Sequence, residues 1–213
     1  MHKELKELRL FVWDFDGTLM DTYPVTFAAY LRLALADFGY SAPEAEIMEK
    51  MLVNTGHAVQ HYSDLYGLPQ LRERYNFYQE KGPVAMPEVL PQVKEVLQRI
   101  RELGGIHCVY THRGADTFPM LEHGQLRELF AEIITPGHEG FATKPAPDAI
   151  LYLMKKYGVT PEETVMIGDR ACDLEAGQNA GCRTLHLLTP AVPQYPPCDW
   201  RIENFGQMLE MLK

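Results

Sequence analysis

Leu10-Phe11-Val12-Trp13-Asp14-Phe15-Asp16-Gly17-Thr18-Leu19 is the stretch on which the fold turns. Its first four residues are apolar without interruption, which marks a parallel strand buried on both faces rather than a half-exposed one. Two carboxylates follow, one residue apart, and Gly17 shows where the strand gives way to a turn. Acids at the carboxyl end of a central strand lie where open α/β sheets place their chemistry. Asp14 and Asp16 are therefore expected to converge on one small volume from a turning backbone. Two anions held that close repel unless a cation intervenes, and paired oxygen ligands suit a hard ion such as Mg²⁺. The same residues alone would also fit a strand ending in a solvated acidic turn, so groups after later strands have to decide.

Working outward, residues 8–13 form the first and central strand, and the chain then changes character. Phe27, Tyr30, Leu31, Leu33, Ala34, Leu35 and Phe38 recur at helical spacing, with Gly39 as the stop. Residues 45–52 give a second helix with Ile47, Met48, Met51 and Leu52 on its apolar side. A third begins near Thr55 and ends near Tyr66-Gly67, and a fourth covers 71–81 before Gly82-Pro83. No strand interrupts this region, which therefore forms a helical insertion. Beyond it Val93, Val96, Leu97, Ile100 and Leu103 share one helical face. Strands at 106–111, 132–135, 164–168 and 183–188 then alternate with helices at 116–123, 147–157 and 172–179. A short turn lies near 126–130, and Thr160 to Glu163 has capping-box spacing. A Pro-rich loop at 190–197 leads to a last helix at 205–212. Strands alternating with helices make an α/β fold, a Rossmann-like parallel sheet covered on both faces. The expected domains are residues 1–20 with 84–213 as the α/β core, and 21–83 as an all-helical domain.

A chain of 213 residues with 46% hydrophobic content has ample material for such a core. The net charge of −9 argues against a general nucleic-acid or anionic-membrane surface, while leaving room for a local pocket for a small anion. No apolar run is long enough to span a bilayer and the first residues lack a signal-peptide core, so a cytoplasmic protein is the expectation. Cys108, Cys172, Cys182 and Cys198 have no metal-ligand or CxxC spacing and are expected to be free thiols. Cys172, although close to a motif, is expected to be a bystander.

Three further groups fall after predicted strands. Thr111-His112-Arg113-Gly114 offers a hydroxyl and successive N–H groups that suit phosphate oxygens, or equally a local Thr turn. Lys144 precedes Pro145, which pushes its backbone away from helical geometry and holds an ammonium in place. In Gly168-Asp169-Arg170-Ala171-Cys172-Asp173, Asp169 ends an apolar strand, where an isolated acid is costly without a partner. Asp173 lies four residues on, either beside Asp169 or simply as a favourable charge in the first turn of a helix.

In this order and spacing, DxDGT, Thr111, the Lys144-Pro145 pair and GDxxxD resemble the four-motif signature of the haloacid dehalogenase-like hydrolases. The helical insertion resembles the cap of the phosphoglycolate phosphatase and beta-phosphoglucomutase branch. The resemblance implies a phosphatase in which Asp14 is the nucleophile and Asp16 the general acid and base. It implies Mg²⁺ bound by Asp14, the carbonyl of Asp16 and Asp169, with Asp173 orienting a metal-bound water or Lys144. Thr111, the N–H of His112 and Lys144 would hold the phosphoryl oxygens. Dehalogenases of this superfamily lack the second acid, so Asp16 points to phosphoryl transfer. A small phosphorylated metabolite, phosphoglycolate-like or a sugar phosphate, is the expected partner, with the protein a monomer or homodimer. A mutase-type phosphotransferase and a non-catalytic regulatory module are the rivals. His112-Arg113 departs from the usual family pattern; Arg113, His57, His61, Arg72, Arg74 and Tyr75 are candidate substrate contacts, although most are expected to be ordinary surface or packing residues.

Overall fold

The computed structural model describes residues 4–51, 55–82, 86–137, 140–188 and 197–213. In chain order the strands are β1 (Leu10–Trp13), β2 (Ile106–Tyr110), β3 (Glu132–Ile134), β4 (Thr164–Gly168), β5 (Arg183–Leu187) and β6 (Trp200–Ile202). The helices are α1 (Ala29–Ala36), α2 (Glu44–Met51), α3 (Thr55–Tyr66), α4 (Leu71–Lys81), α5 (Val93–Glu102), α6 (Thr117–His123), α7 (Asp148–Tyr157), α8 (Ala171–Asn179) and α9 (Phe205–Met211). The chain divides into two compact units. One is built on Met1–Met20 and Glu88–Thr189 with the C-terminal stretch to Lys213; the other is built on Asp21–Pro87.

The first unit carries a six-stranded sheet in the order β3-β2-β1-β4-β5-β6, with every pairing parallel. The uninterrupted apolar run of β1 is explained by what covers it. Phe11 and Trp13 point to one face, packed with Val96, Leu97 and Ile100 of α5 and with Phe205 and Met208 of α9. Leu10 and Val12 point to the other, packed with Ile150 and Leu153 of α7 and Ala176 of α8. A two-residue period with both faces buried leaves no position for a polar residue.

Two sequence expectations shift in this unit. Residues 5–7 form a 3-10 turn that buries Leu5 and places Leu8 in the core, so the first strand starts at Leu10 rather than at residue 8. Beyond the Pro-rich segment, Trp200–Ile202 adds an edge strand that the pattern did not announce. Three residues are too few for a period to register, and its existence depends on the Leu185↔Trp200 register with β5.

The second unit is helical. It opens with a π-helical turn at Tyr23–Ala28 that runs into α1, and its core holds Leu31, Leu35, Ile47, Val59, Tyr62 and Tyr75. The π turn is invisible to a 3.6-residue reading, because one widened turn shifts the pattern by less than a residue. Leu52, Pro83, residues 190–196 and the expected boundary between 83 and 84 lie outside the described residues. Among the described residues no helix is long and apolar enough to cross a membrane.

Candidate active site

Strand order explains why residues so far apart in sequence meet. β2 and β4 flank β1, so the loops leaving their carboxyl ends lie side by side, carrying Thr111, Asp14 and Asp169. The ladder extends one step into these loops: Asp14 N–H donates to Ile167 O at 2.8 Å and Thr111 N–H to Ile134 O at 3.0 Å. Gly17 adopts φ 75°, the left-handed conformation that turns the chain just after Asp16. Gly168 has a different reason. A Cβ there would lie 2.4 Å from atoms of Asp173, so only glycine lets β4 pass beneath that carboxylate.

Carboxylate oxygens of Asp14, Asp169 and Asp173 lie within 4.8 Å of one another, and all three residues are buried. The Lys144 ammonium bonds the Asp14 carboxylate and, at 2.6 Å, Asp173 Oδ1. Lys144 is itself buried, 5.4 Å from the centre of the Tyr110 ring, and its peptide bond to Pro145 is cis. Burial alone would depress this ammonium, but the Asp14 and Asp173 charges override it and hold its pKa above the ordinary lysine value. Asp173 is pushed up to about 6 by burial and by the Asp14 charge, against the pull of Lys144. Its other oxygen accepts the Arg170 N–H at 3.0 Å, which anchors it at the start of α8. Asp169 is held from two sides. Thr18 Oγ1 donates to its Oδ1 at 3.4 Å, and His186 Nε2 lies 3.2 Å from its carbonyl oxygen.

The carboxylate of Asp16 takes a different direction. The expected convergence with Asp14 brings no Asp16 oxygen into the three-acid group; Asp16 Oδ1 instead accepts from Arg113 Nε at 2.7 Å. Arg113 Nη1 in turn donates to Asp116 Oδ2 at 2.6 Å. Arg113, a candidate substrate contact, is a buried cation bound between two acids. The Thr111 hydroxyl oxygen accepts the Arg113 N–H at 3.0 Å, the local turn that its sequence context allowed, and its own hydrogen remains to be donated. His112 is exposed on the same loop, and partial desolvation together with the Lys144 cation pushes its pKa down. The Cys172 thiol, beside Asp173, is pushed up to about 12 by burial and by the Asp173 charge.

In the helical unit three of the candidate contacts have partners within that unit. Arg72 donates to Gly56 O at 2.9 Å, Arg74 pairs with Asp37, and Tyr75 is core. Sequence reasoning missed Asp116 and His186. Asp116 stands three residues beyond Arg113, a spacing that was open to inspection. His186 is read only once β5 is known to pair with β4, opposite Gly168.

A doubly covered parallel sheet with acids, a buried lysine and a hydroxyl at its carboxyl edge defines a class, and the comparison with known proteins agrees. The chain belongs to the haloacid dehalogenase-like hydrolases, whose family model matches residues 11–187, and it is a phosphatase of that family. It is 30% identical to a phosphoglycolate phosphatase of Aliivibrio fischeri, with 85% of each chain covered. It is 28% identical to one of Mannheimia succiniciproducens over 97% of this chain and 99% of that one. Among solved structures, a predicted phosphoglycolate phosphatase from Haemophilus somnus is similar, with TM-score 0.79 and 25% identity over 98% of this chain and 100% of that one. A hydrolase from Streptococcus pneumoniae has TM-score 0.70 and 30% identity, covering 96% and 99%.

Proposed function

We propose that this protein is a Mg²⁺-dependent phosphatase that hydrolyses a small phosphorylated metabolite, phosphoglycolate-like in the first instance, through an aspartyl-phosphate on Asp14. The observation that supports it most is the grouping of Asp14, Asp169 and Asp173 around a single volume with Lys144 bonded to two of them. Three buried carboxylates carry more negative charge than one ammonium offsets, and an all-oxygen donor set suits a hard divalent cation. Asp14, the Asp16 carbonyl and Asp169 would hold Mg²⁺, which when bound supplies the positive charge that lets a phosphate dianion approach a carboxylate.

The rest is the work of the chain's own residues. Asp14 attacks phosphorus, forming an O–P bond as the bond from phosphorus to the substrate's ester oxygen breaks. Asp16 gives its proton to that departing oxygen, so an alcohol leaves. Water then attacks the aspartyl-phosphate, Asp16 takes the water's proton, and inorganic phosphate departs with Asp14 regenerated. Lys144, the Thr111 hydroxyl and the His112 N–H meet the charge on the transferring oxygens. In this reading the helical unit is the counterpart of the cap found in the phosphoglycolate phosphatase branch.

The test is phosphate release over a panel of small phosphate esters, with Mg²⁺ and with chelator, alongside a folded Asp14→Asn protein. Mg²⁺-dependent release that Asp14→Asn abolishes supports the reading. Undiminished release from folded Asp14→Asn would remove Asp14 as nucleophile, and interconversion of sugar phosphate isomers without net release would favour the phosphotransferase.

A further inference from the structure

We propose that Arg113 is a positioning residue for Asp16: its guanidinium, clamped by Asp116, orients the Asp16 carboxyl for delivery of a proton to the leaving oxygen. The inference rests on the reading of Asp16 as general acid and adds the group that aims it.

The geometry supplies the argument. Arg113 is 8% exposed and its guanidinium is bound on two edges, Nε to Asp16 at 2.7 Å and Nη1 to Asp116 at 2.6 Å. A planar group tied on two edges can neither rotate nor slide, and it transmits that constraint to the carboxyl it holds. Its backbone is fixed as well: Arg113 N–H donates to Thr111 Oγ1 at 3.0 Å, and Thr117 Oγ1 donates to the adjoining Gly114 O at 2.8 Å. The arginine is thus built into the β2–α6 loop rather than draped across the site.

Asp16 has need of such a partner. It sits beyond the end of β1 at Trp13, on the turn that Gly17 makes, where its backbone bridges to Met20. A general acid has to lie within hydrogen-bond reach of the oxygen it protonates, and small misplacements are costly. A lysine in the same place would neutralise charge without specifying direction, which separates aiming from simple charge balance.

A role in aiming a general acid predicts dependence on the leaving group. p-Nitrophenolate departs without a proton, whereas the alkoxide of phosphoglycolate needs one. The experiment is acid-quenched trapping of the phosphoenzyme in the first turnover, so that the later hydrolysis step does not intrude. Wild type, Asp16→Asn, Arg113→Met, Arg113→Lys and Asp116→Asn are each given p-nitrophenyl phosphate and phosphoglycolate.

Arg113→Met is expected to slow phosphoryl transfer from phosphoglycolate by about 100-fold, the lower end of what a general acid contributes, and from p-nitrophenyl phosphate by less than about threefold. Arg113→Lys is expected to fall between wild type and Arg113→Met, and Asp116→Asn to lose about threefold on phosphoglycolate alone. Equal slowing with both substrates, or Arg113→Lys indistinguishable from wild type, would overturn the proposal. If Arg113→Met does not fold, Arg113→Lys decides by the same ratio of substrates. A wild type that forms no phosphoenzyme sinks the proposed function and this inference together; a normal wild-type phosphoenzyme with no leaving-group dependence sinks the inference only.

Discussion

Lys144 and Arg113 are both buried cations, and each is bonded to two carboxylates, yet they build different things. Lys144 binds Asp14 and Asp173 with Asp169 close by, so three buried acids share one ammonium. Arg113 binds Asp16 and Asp116, and Asp116 has a side chain 30% exposed to water, which screens part of its charge. The lysine is a compact point charge on a flexible stem; the arginine is a flat fork with fixed bond directions. The contrast teaches that the same pairing of charges serves two needs. Around Asp14 the acids outnumber the cation and leave a charge deficit suited to a divalent ion. Around Asp16 two acids share one guanidinium, one of them partly exposed to water, and the contribution proposed for the arrangement is direction.

The largest expected effect would come from the lysine side of this comparison. Asp14→Asn should reduce phosphate release by about 10³-fold or more, the scale seen when one member of a catalytic unit is removed, with its circular dichroism unchanged. Lys144→Met should cost about 3–5 kcal/mol in urea unfolding, because it leaves Asp14 and Asp173 facing each other in a dry site. Added Mg²⁺ should recover part of that loss, and a variant as stable as wild type would show that the lysine is not needed to offset these charges.

A third polar cluster sharpens the contrast because it is buried without charge. Trp13 Nε1–H donates to His107 Nδ1 at 3.0 Å, so His107 Nε2 carries the hydrogen and donates to Leu97 O at 3.0 Å. Burial holds this imidazole down at about 4, below the ordinary 6.5. The unfolded chain therefore takes up the proton first. The stabilisation is fully present above pH 6.5 and is lost as pH falls through 4, up to about 3 kcal/mol. Urea midpoints of wild type should fall between pH 7 and pH 4, and His107→Gln should show a shallower decline. The smallest of the four effects is on metal binding: Asp169→Asn should weaken Mg²⁺ binding about 10–100-fold by calorimetry. An unchanged affinity would remove Asp169 from the cation site.

Much of the core was legible before the structure. A strand buried on both faces has to be apolar throughout, so β1 and β4 declared themselves, and glycines and prolines punctuated most helices. Asp14 and Asp169 stand at strand ends and Lys144 stands before a proline, so these three invited attention from the residues alone; Asp173 also fitted an ordinary first-turn charge, and only the family resemblance placed it beside them. The edge strand β6, the π turn and the Arg113–Asp16 pair were not. The first is too short to show a period, the second differs from an α-helix only in how its hydrogen bonds skip, and the third joins residues 97 positions apart.

By itself the sequence determined the apolar faces of the central strands and most helices, which strands are parallel-type, and which acids stand at their carboxyl ends, since these follow from local pattern and the cost of isolating charge in an apolar interior. Only the tertiary structure decided which cation meets which acid. Sequence spacing carries no information about direction across a sheet, and the choice between Lys144 and Arg113 as the partner of Asp14 or Asp16 depends on strand order and on ångström-scale placement of loops.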